Sequence, residues 1–164
     1  MYKRQDKKGD SLYAGAVSAQ QEMFNRHLLE MVSGHDGLVY QHLLNLKKNQ
    51  ARFLTGAQID GTLMTYAGMG IAHPAHAFLD EIEMCAWIIL KEFMVVSLGS
   101  TLIASTMKVR NGSLKQALVQ AEEKGFQVQT TCARDVPNLY SQSRISRMKK
   151  VLDADDFAMQ VMCE

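Results

Sequence analysis

From Ser113 the chain reads SLKQALVQAEEKGFQVQTTC, a helical stretch that passes through one glycine into an alternating one. Ser113 with Gln116 three residues on forms a capping box, Leu114, Leu118 and Ala121 line one face, and Gly125 after Lys124 is a stop signal. Phe126 to Cys132 then alternates apolar with polar residues, the period of a strand. Upstream, Phe93 to Ala104 is uncharged and rich in Val, Leu and Ile, which suits a strand buried on both faces, a buried helix being the alternative. Strand, helix and strand in that order make a β-α-β unit with parallel pairing. The expected fold class is therefore α/β, a small open, mainly parallel sheet flanked by helices.

The remaining chain is read around that unit. Residues 1–12 are charged and read as a flexible tail. Val17, Phe24, Leu28 and Met31 recur near helical spacing up to Gly34, and Val39, Leu43, Leu46 and Phe53 repeat the pattern up to Gly56. Residues 13–56 are thus expected to form an N-terminal α-helical hairpin, and residues 57–164 the α/β domain. Thr62 to Ala67 reads as a strand ending at Gly68-Met69-Gly70. His73-Pro74 opens an expected helix with Phe78, Leu79, Ile82, Ala86 and Ile89 on its apolar face. After the turn around Pro137, Ile145, Met148, Val151 and Leu152 indicate a short helix, and Asp153 can cap a last turn.

Eighteen basic against seventeen acidic residues leave a formal charge of +1, so no global field draws in nucleic acid or an anionic membrane. Neither is expected as a partner. The apolar stretch Cys85 to Met107 is broken by Lys91, Glu92 and Gly99 and reads as core, not as a membrane span. Three widely spaced cysteines, Cys85, Cys132 and Cys163, fit a reducing compartment, and no secretion signal is visible, so a cytoplasmic location is expected.

The residue that suggests chemistry is Cys132, placed by this reading at the carboxyl end of a parallel strand, where open α/β sheets put their crevices. Arg134, two residues on, would favour the thiolate. A buried cysteine acting as a small hydrophobe is the plainer reading. Gly68, Met69 and Gly70 could bring backbone N–H groups to an anion, although the third glycine of a dinucleotide fingerprint and the lysine of a P-loop are lacking. His73, His76 and Asp80 could share a helical face, but no further ligand pair stands out, and no metal is expected. Arg144, Arg147, Lys149 and Lys150 read as a solvated helix face. Asp80, Glu81 and Glu83 are explained as acids at the start of a helix, favoured by its dipole, and are given no catalytic role.

From Thr62 to Cys163 the order of elements, with SLKQALVQAEEKGFQVQTTC as its closest stretch, resembles the DsrE/DsrF-like family of small sulfur-relay proteins. The resemblance implies a persulfide on Cys132, an anion-stabilising Arg134, no cofactor, and a cysteine-based sulfur carrier or sulfurtransferase that passes sulfane sulfur between protein thiols. It also implies homo-oligomers or hetero-oligomers with related subunits, and protein sulfur donors and acceptors as partners. The alternative from the residues is a non-enzymatic oligomeric interaction or scaffold protein with an inert core cysteine, resting on the helical hairpin and the eleven methionines.

Overall fold

A computed structural model of the chain describes residues 10–33, 43–47, 49–68, 74–121 and 123–163. The chain divides into two compact units, Met1–Ser105 and Thr106–Glu164. The first holds β1 (Ser11–Gly15), α1 (Ser18–Ser33), β2 (Leu43–Lys47), β3 (Gln50–Phe53), β4 (Gln58–Leu63), β5 (His76–Asp80), a single 3₁₀ turn (Ile82–Met84), α2 (Trp87–Val96) and β6 (Ser100–Ala104).

The expected α/β class is present: one six-stranded open sheet in the order β2-β3-β4-β1-β5-β6. β1 pairs in parallel with both β4 and β5, and β5 in parallel with β6, while β2-β3 and β3-β4 are antiparallel. As a central strand β1 is buried on both faces, which is why Leu12, Tyr13 and Ala14 carry no charge. The pleat puts Tyr13 on the α1 side, its ring stacked on Phe24 at 4.2 Å, and turns Leu12 and Ala14 to the other side with Ala77 and Leu79 of β5. Right-handed crossovers place α1, which leads towards β4, and α2, which leads to β6, on opposite faces.

Several expectations are corrected here. The first predicted helix is present as Ser18–Ser33, but Ala14 belongs to β1, and Ser11 and Leu12, assigned to the tail, do too. Five residues are too few for periodicity to separate a strand from the helix beside it. The second helix of the expected hairpin is replaced by β2 and β3, an antiparallel pair with an irregularity between Leu43 and Asn45. Its joint at Gly34 to Gly37 lies outside the described residues. The helix expected from His73 is a strand, β5, because Glu81 adopts a left-handed backbone (φ 53°) that no helix continues through. The strand expected over Phe93 to Ala104 is the end of α2 followed by β6. Gly99 separates them where a Cβ would lie 2.5 Å from the Ala75 carbonyl oxygen.

The second unit contains α3 (Ser113–Ala121), a 3₁₀ turn (Ala133–Asp135), α4 (Gln142–Val151), α5 (Ala154–Phe157) and a π-helical turn (Ala158–Met162). Gly125 does end the α3 segment in the left-handed region (φ 72°), and the Phe126 N–H returns to the Ala121 carbonyl. Ser141 and Asp153 cap α4 and α5 by accepting from the Arg144 and Asp156 N–H groups. Phe126 to Cys132, however, is neither strand nor helix: Val128 is 55% exposed and no neighbouring strand takes up the alternation. The expected β-α-β unit is therefore absent.

Candidate functional site at the carboxyl edge of the parallel strands

β4, β1, β5 and β6 run the same way, so their carboxyl ends share one edge: Leu63 lies beside Gly15, Gly15 beside Asp80, and Asp80 beside Ala104. The connection leaving β1 heads to the β4 side, and the one leaving β5 heads to β6. Neighbouring strands whose connections diverge mark the topological switch point, where open α/β sheets leave a crevice for ligands.

Asp80 ends β5 at that point. Its Oδ2 accepts a 2.6 Å hydrogen bond from the Tyr13 hydroxyl. Burial pushes the Tyr13 phenol well above its usual range, with the bond to Asp80 and the Asp80 and Glu81 charges adding to it, so it is a fixed donor at neutral pH. The chain after each strand is tied back to the sheet: Ala16 N–H donates to the Asp80 carbonyl, Glu81 N–H to that of Ala104, and Met64 N–H to that of Gly15. Glu81 is held left-handed immediately beyond Asp80. Ser105, following β6, accepts from the Glu83 N–H at 3.2 Å. Gly15 faces the start of α1, where a Cβ would lie 3.1 Å from Gln20 Cβ, while the Gln20 side chain accepts from the Val17 N–H. The edge thus presents two successive carboxylates, one oriented by a buried phenol, at the mouth between β1 and β5.

The residues singled out from the sequence lie elsewhere or only partly here. Cys132 is buried and precedes the Ala133–Asp135 turn in the second unit, where its N–H donates to Asp135 Oδ2 at 2.9 Å and its carbonyl accepts from the Asp135 N–H. Arg134 belongs to that turn. Cys163 is held to the Thr131 carbonyl by its thiol, and its pKa is pushed up to about 11, first by local burial and then by its hydrogen bond with the Cys132 thiol. Gly68 follows β4: its N–H donates to Thr65 Oγ1, and a Cβ there would meet the Leu63 carbonyl oxygen at 2.2 Å. Met69, Gly70 and His73 lie outside the described residues. His76 and Asp80 stand at opposite ends of β5, roughly 13 Å apart at strand rise, so they cannot share a metal. His76 instead bonds Ser100 Oγ at 2.8 Å. Among the described residues no group of three or more His, Cys, Asp or Glu is placed to hold a metal ion, and no helix is long and apolar enough to cross a membrane. An open cleft of about 690 Å³ in the second unit is lined by Ser141, Arg144, Arg147 and Gln160 among others. Its lining includes the hydroxyls of Ser141 and Ser143 but no carboxylate or thiol.

Sequence reading passed over Asp80 and Glu81 by assigning them to a helix. The signal was there: Ala77-Phe78-Leu79 is a short apolar run closed by two acids, Asp80-Glu81.

No family model matches the chain, and no curated protein matches its sequence. Solved structures do share its fold. The large terminase ATPase domain of Thermus phage P74-26 is similar over 97% of this chain and 77% of its own length, with a TM-score of 0.66 and 15% identity. The large terminase of the thermophilic bacteriophage D6E, in complex with ADP, is similar over 95% of this chain and 40% of its own length, with a TM-score of 0.68 and 10% identity. These likenesses correct the family expectation: the fold is that of terminase ATPase domains, not of a DsrE/DsrF-like sulfur-relay protein. With it goes the sulfurtransferase reading, since the strand that was to carry a persulfide on Cys132 does not form. The scaffold alternative rested on a helical hairpin whose second half is β2 and β3.

Proposed function

We propose that this chain is a nucleotide-binding module of ATPase type, and that Asp80 and Glu81 form the metal-and-water side of its site. The observation that carries the reading is the delivery of Asp80-Glu81 by β5, a central strand buried on one face at Ala77 and Leu79, to the switch point beside β1. The likeness to ATPase domains, one of them solved with ADP, supports it.

Magnesium suits the donors. It takes one or two carboxylates and completes its octahedron with water and phosphate oxygens, so a lone aspartate without a three-residue cluster is enough. In P-loop NTPases the Walker-B aspartate has this role, and the ion, once bound, offsets charge on the phosphates. Asp80 would hold the ion's coordination sphere through Oδ1, because Oδ2 is engaged by Tyr13. Tyr13 fixes the carboxylate's rotamer and removes its freedom to swing away. Glu81, displaced from the strand direction by its left-handed backbone, would orient the attacking water.

Calorimetric titration with magnesium and ADP, alone and together, tests this. The expected result is weak binding of ADP that requires magnesium and is lost in Asp80→Asn with the fold unchanged. Nucleotide binding indifferent to magnesium and to Asp80→Asn would rule out the assignment.

A further inference from the structure

The second unit brings two thiols together from the ends of a long loop. Cys132 opens the Ala133–Asp135 turn, and Cys163 ends the Ala158–Met162 turn. The Cys163 thiol donates to the carbonyl oxygen of Thr131, the residue before Cys132, at 3.7 Å and shares a hydrogen bond with the Cys132 thiol. Backbone geometry sets both side chains. Cys132 Sγ accepts from the Asp135 N–H, while its own N–H donates to Asp135 Oδ2. Cys163 takes up the left-handed backbone (φ 60°) that a Cβ disfavours, with its N–H returned to the Ala158 carbonyl. The third cysteine, Cys85, belongs to the first unit, where its thiol is engaged by the Met64 and Ala86 carbonyls.

We propose that Cys132 and Cys163 are a dithiol oxidation site, at which a low-molecular-weight disulfide reacts with Cys163 and Cys132 resolves the product into an intramolecular disulfide. In the first step Cys163 gives up its proton and its sulfur attacks one sulfur of the reagent. The reagent's S–S bond breaks, and one small thiol leaves with that proton. In the second step the Cys132 sulfur attacks the Cys163 sulfur, the mixed disulfide breaks, and a second small thiol leaves with the Cys132 proton. The protein thiols lose two electrons, and the reagent is reduced to two thiols.

Exposure sets the order. Cys163 is reachable from solvent, whereas Cys132 is buried and meets the incoming sulfur only through Cys163. Burial of the Cys163 thiol, its contact with Cys132 and the Asp135 charge push its pKa up to about 11, against an opposing pull from Arg134. Thiolate is therefore scarce at neutral pH, and the first step is slow until the pH rises or the oxidant is abundant. The loop that the bond closes contains α4, α5 and the π-helical turn. Every residue lining the cleft of about 690 Å³ lies within it, from Ser141 to Gln160. Closure removes freedom from the loop's open states, so oxidation clamps the walls of that cleft.

The test incubates the full chain with glutathione disulfide at mildly alkaline pH, blocks remaining thiols with iodoacetamide in urea, and maps unreduced tryptic peptides by mass. The two cysteines fall in separate peptides, Gly125–Arg134 and Val151–Glu164. These are expected to be joined by a link that dithiothreitol reverses, with no glutathione retained and Cys85 found blocked by iodoacetamide. Cys132→Ser should trap glutathione on Cys163, and Cys163→Ser should leave Cys132 unmodified. Hydrogen exchange at the amides of Ala158–Met162 should slow roughly tenfold in the crosslinked wild type. Glutathione retained on Cys163 of the wild type, a link between two chains, or Cys85 joined to either cysteine would overturn the site. A crosslink that leaves exchange unchanged would overturn the clamp.

Discussion

The hydroxyl of Tyr13, midway along β1, donates to Oδ2 of Asp80, the last residue of β5, at 2.6 Å. A buried core residue of one strand thereby sets the carboxylate at the tip of its neighbour. Tyr13→Phe is expected to cost about 1.5–3 kcal/mol at pH 7, the range for a hydrogen bond to a charged group. The phenol's raised pKa also fixes a sign: above about pH 10 the unfolded chain loses this proton while the folded chain keeps it, so stability falls as pH rises. Urea midpoints measured from pH 8 to 11 should decline in the wild type and decline less in Tyr13→Phe. Parallel curves would exclude Tyr13 as the titrating group.

Glu81 is one of two non-glycine residues in the left-handed region among the described residues. Strain of this kind costs about 1 kcal/mol and persists where a neighbouring structure or a task demands it. Glu81→Gly should hold or raise the thermal midpoint, whereas the proposed water-orienting role expects magnesium-dependent hydrolysis to drop at least tenfold. Full activity in Glu81→Gly would remove the carboxylate from the mechanism.

Gly61 and Gly68 both admit a close neighbour, but of different kinds. A Cβ at Gly61 meets the end of the flexible Gln21 side chain, backed by the Phe24 ring, whereas one at Gly68 meets the Leu63 carbonyl of the backbone. Gly68→Ala should therefore cost about 1–3 kcal/mol in chemical denaturation and exceed Gly61→Ala. The reverse order would mean that β4 yields more easily than the α1 contact.

Cys163 is exposed, Cys132 buried, and desolvation of the Cys163 thiol together with its contact to Cys132 pushes its pKa up to about 11. Iodoacetamide labelling followed by peptide mass mapping should modify Cys163 slowly at pH 7.5 and faster as the pH approaches 11, because the thiolate is the reactive form. Cys132 should stay protected until unfolding. Rapid labelling of Cys132 at neutral pH would contradict its burial.

The legible parts of the sequence were those with local chemistry. Gly125 as a helix stop and Asp153 as a cap were both read correctly, because each acts on backbone groups within a few residues. The α/β class was legible too. What escaped were the strands β1, β2, β3 and β5: four or five residues each, short enough that Phe78, Leu79 and Ile82 fit a helical repeat as well as a strand. Strand identity comes from a neighbour in space. Phe126 to Cys132 shows the converse, since the alternation there, broken at Thr130, found no ladder to join. The acids at 80 and 81 were missed with β5, because their meaning depends on which end of which element they occupy.

The central place of β1 has a consequence for how the molecule is made. Ser11 meets Ile59 on one side and His76 on the other, so β1 has no parallel neighbour until chain beyond Leu63 is available and is not covered on both sides until chain beyond Asp80 follows. Such distant pairings fold slowly and leave the nascent Leu12-Tyr13-Ala14 stretch uncovered during synthesis. The molecule's middle is laid down first and sealed late.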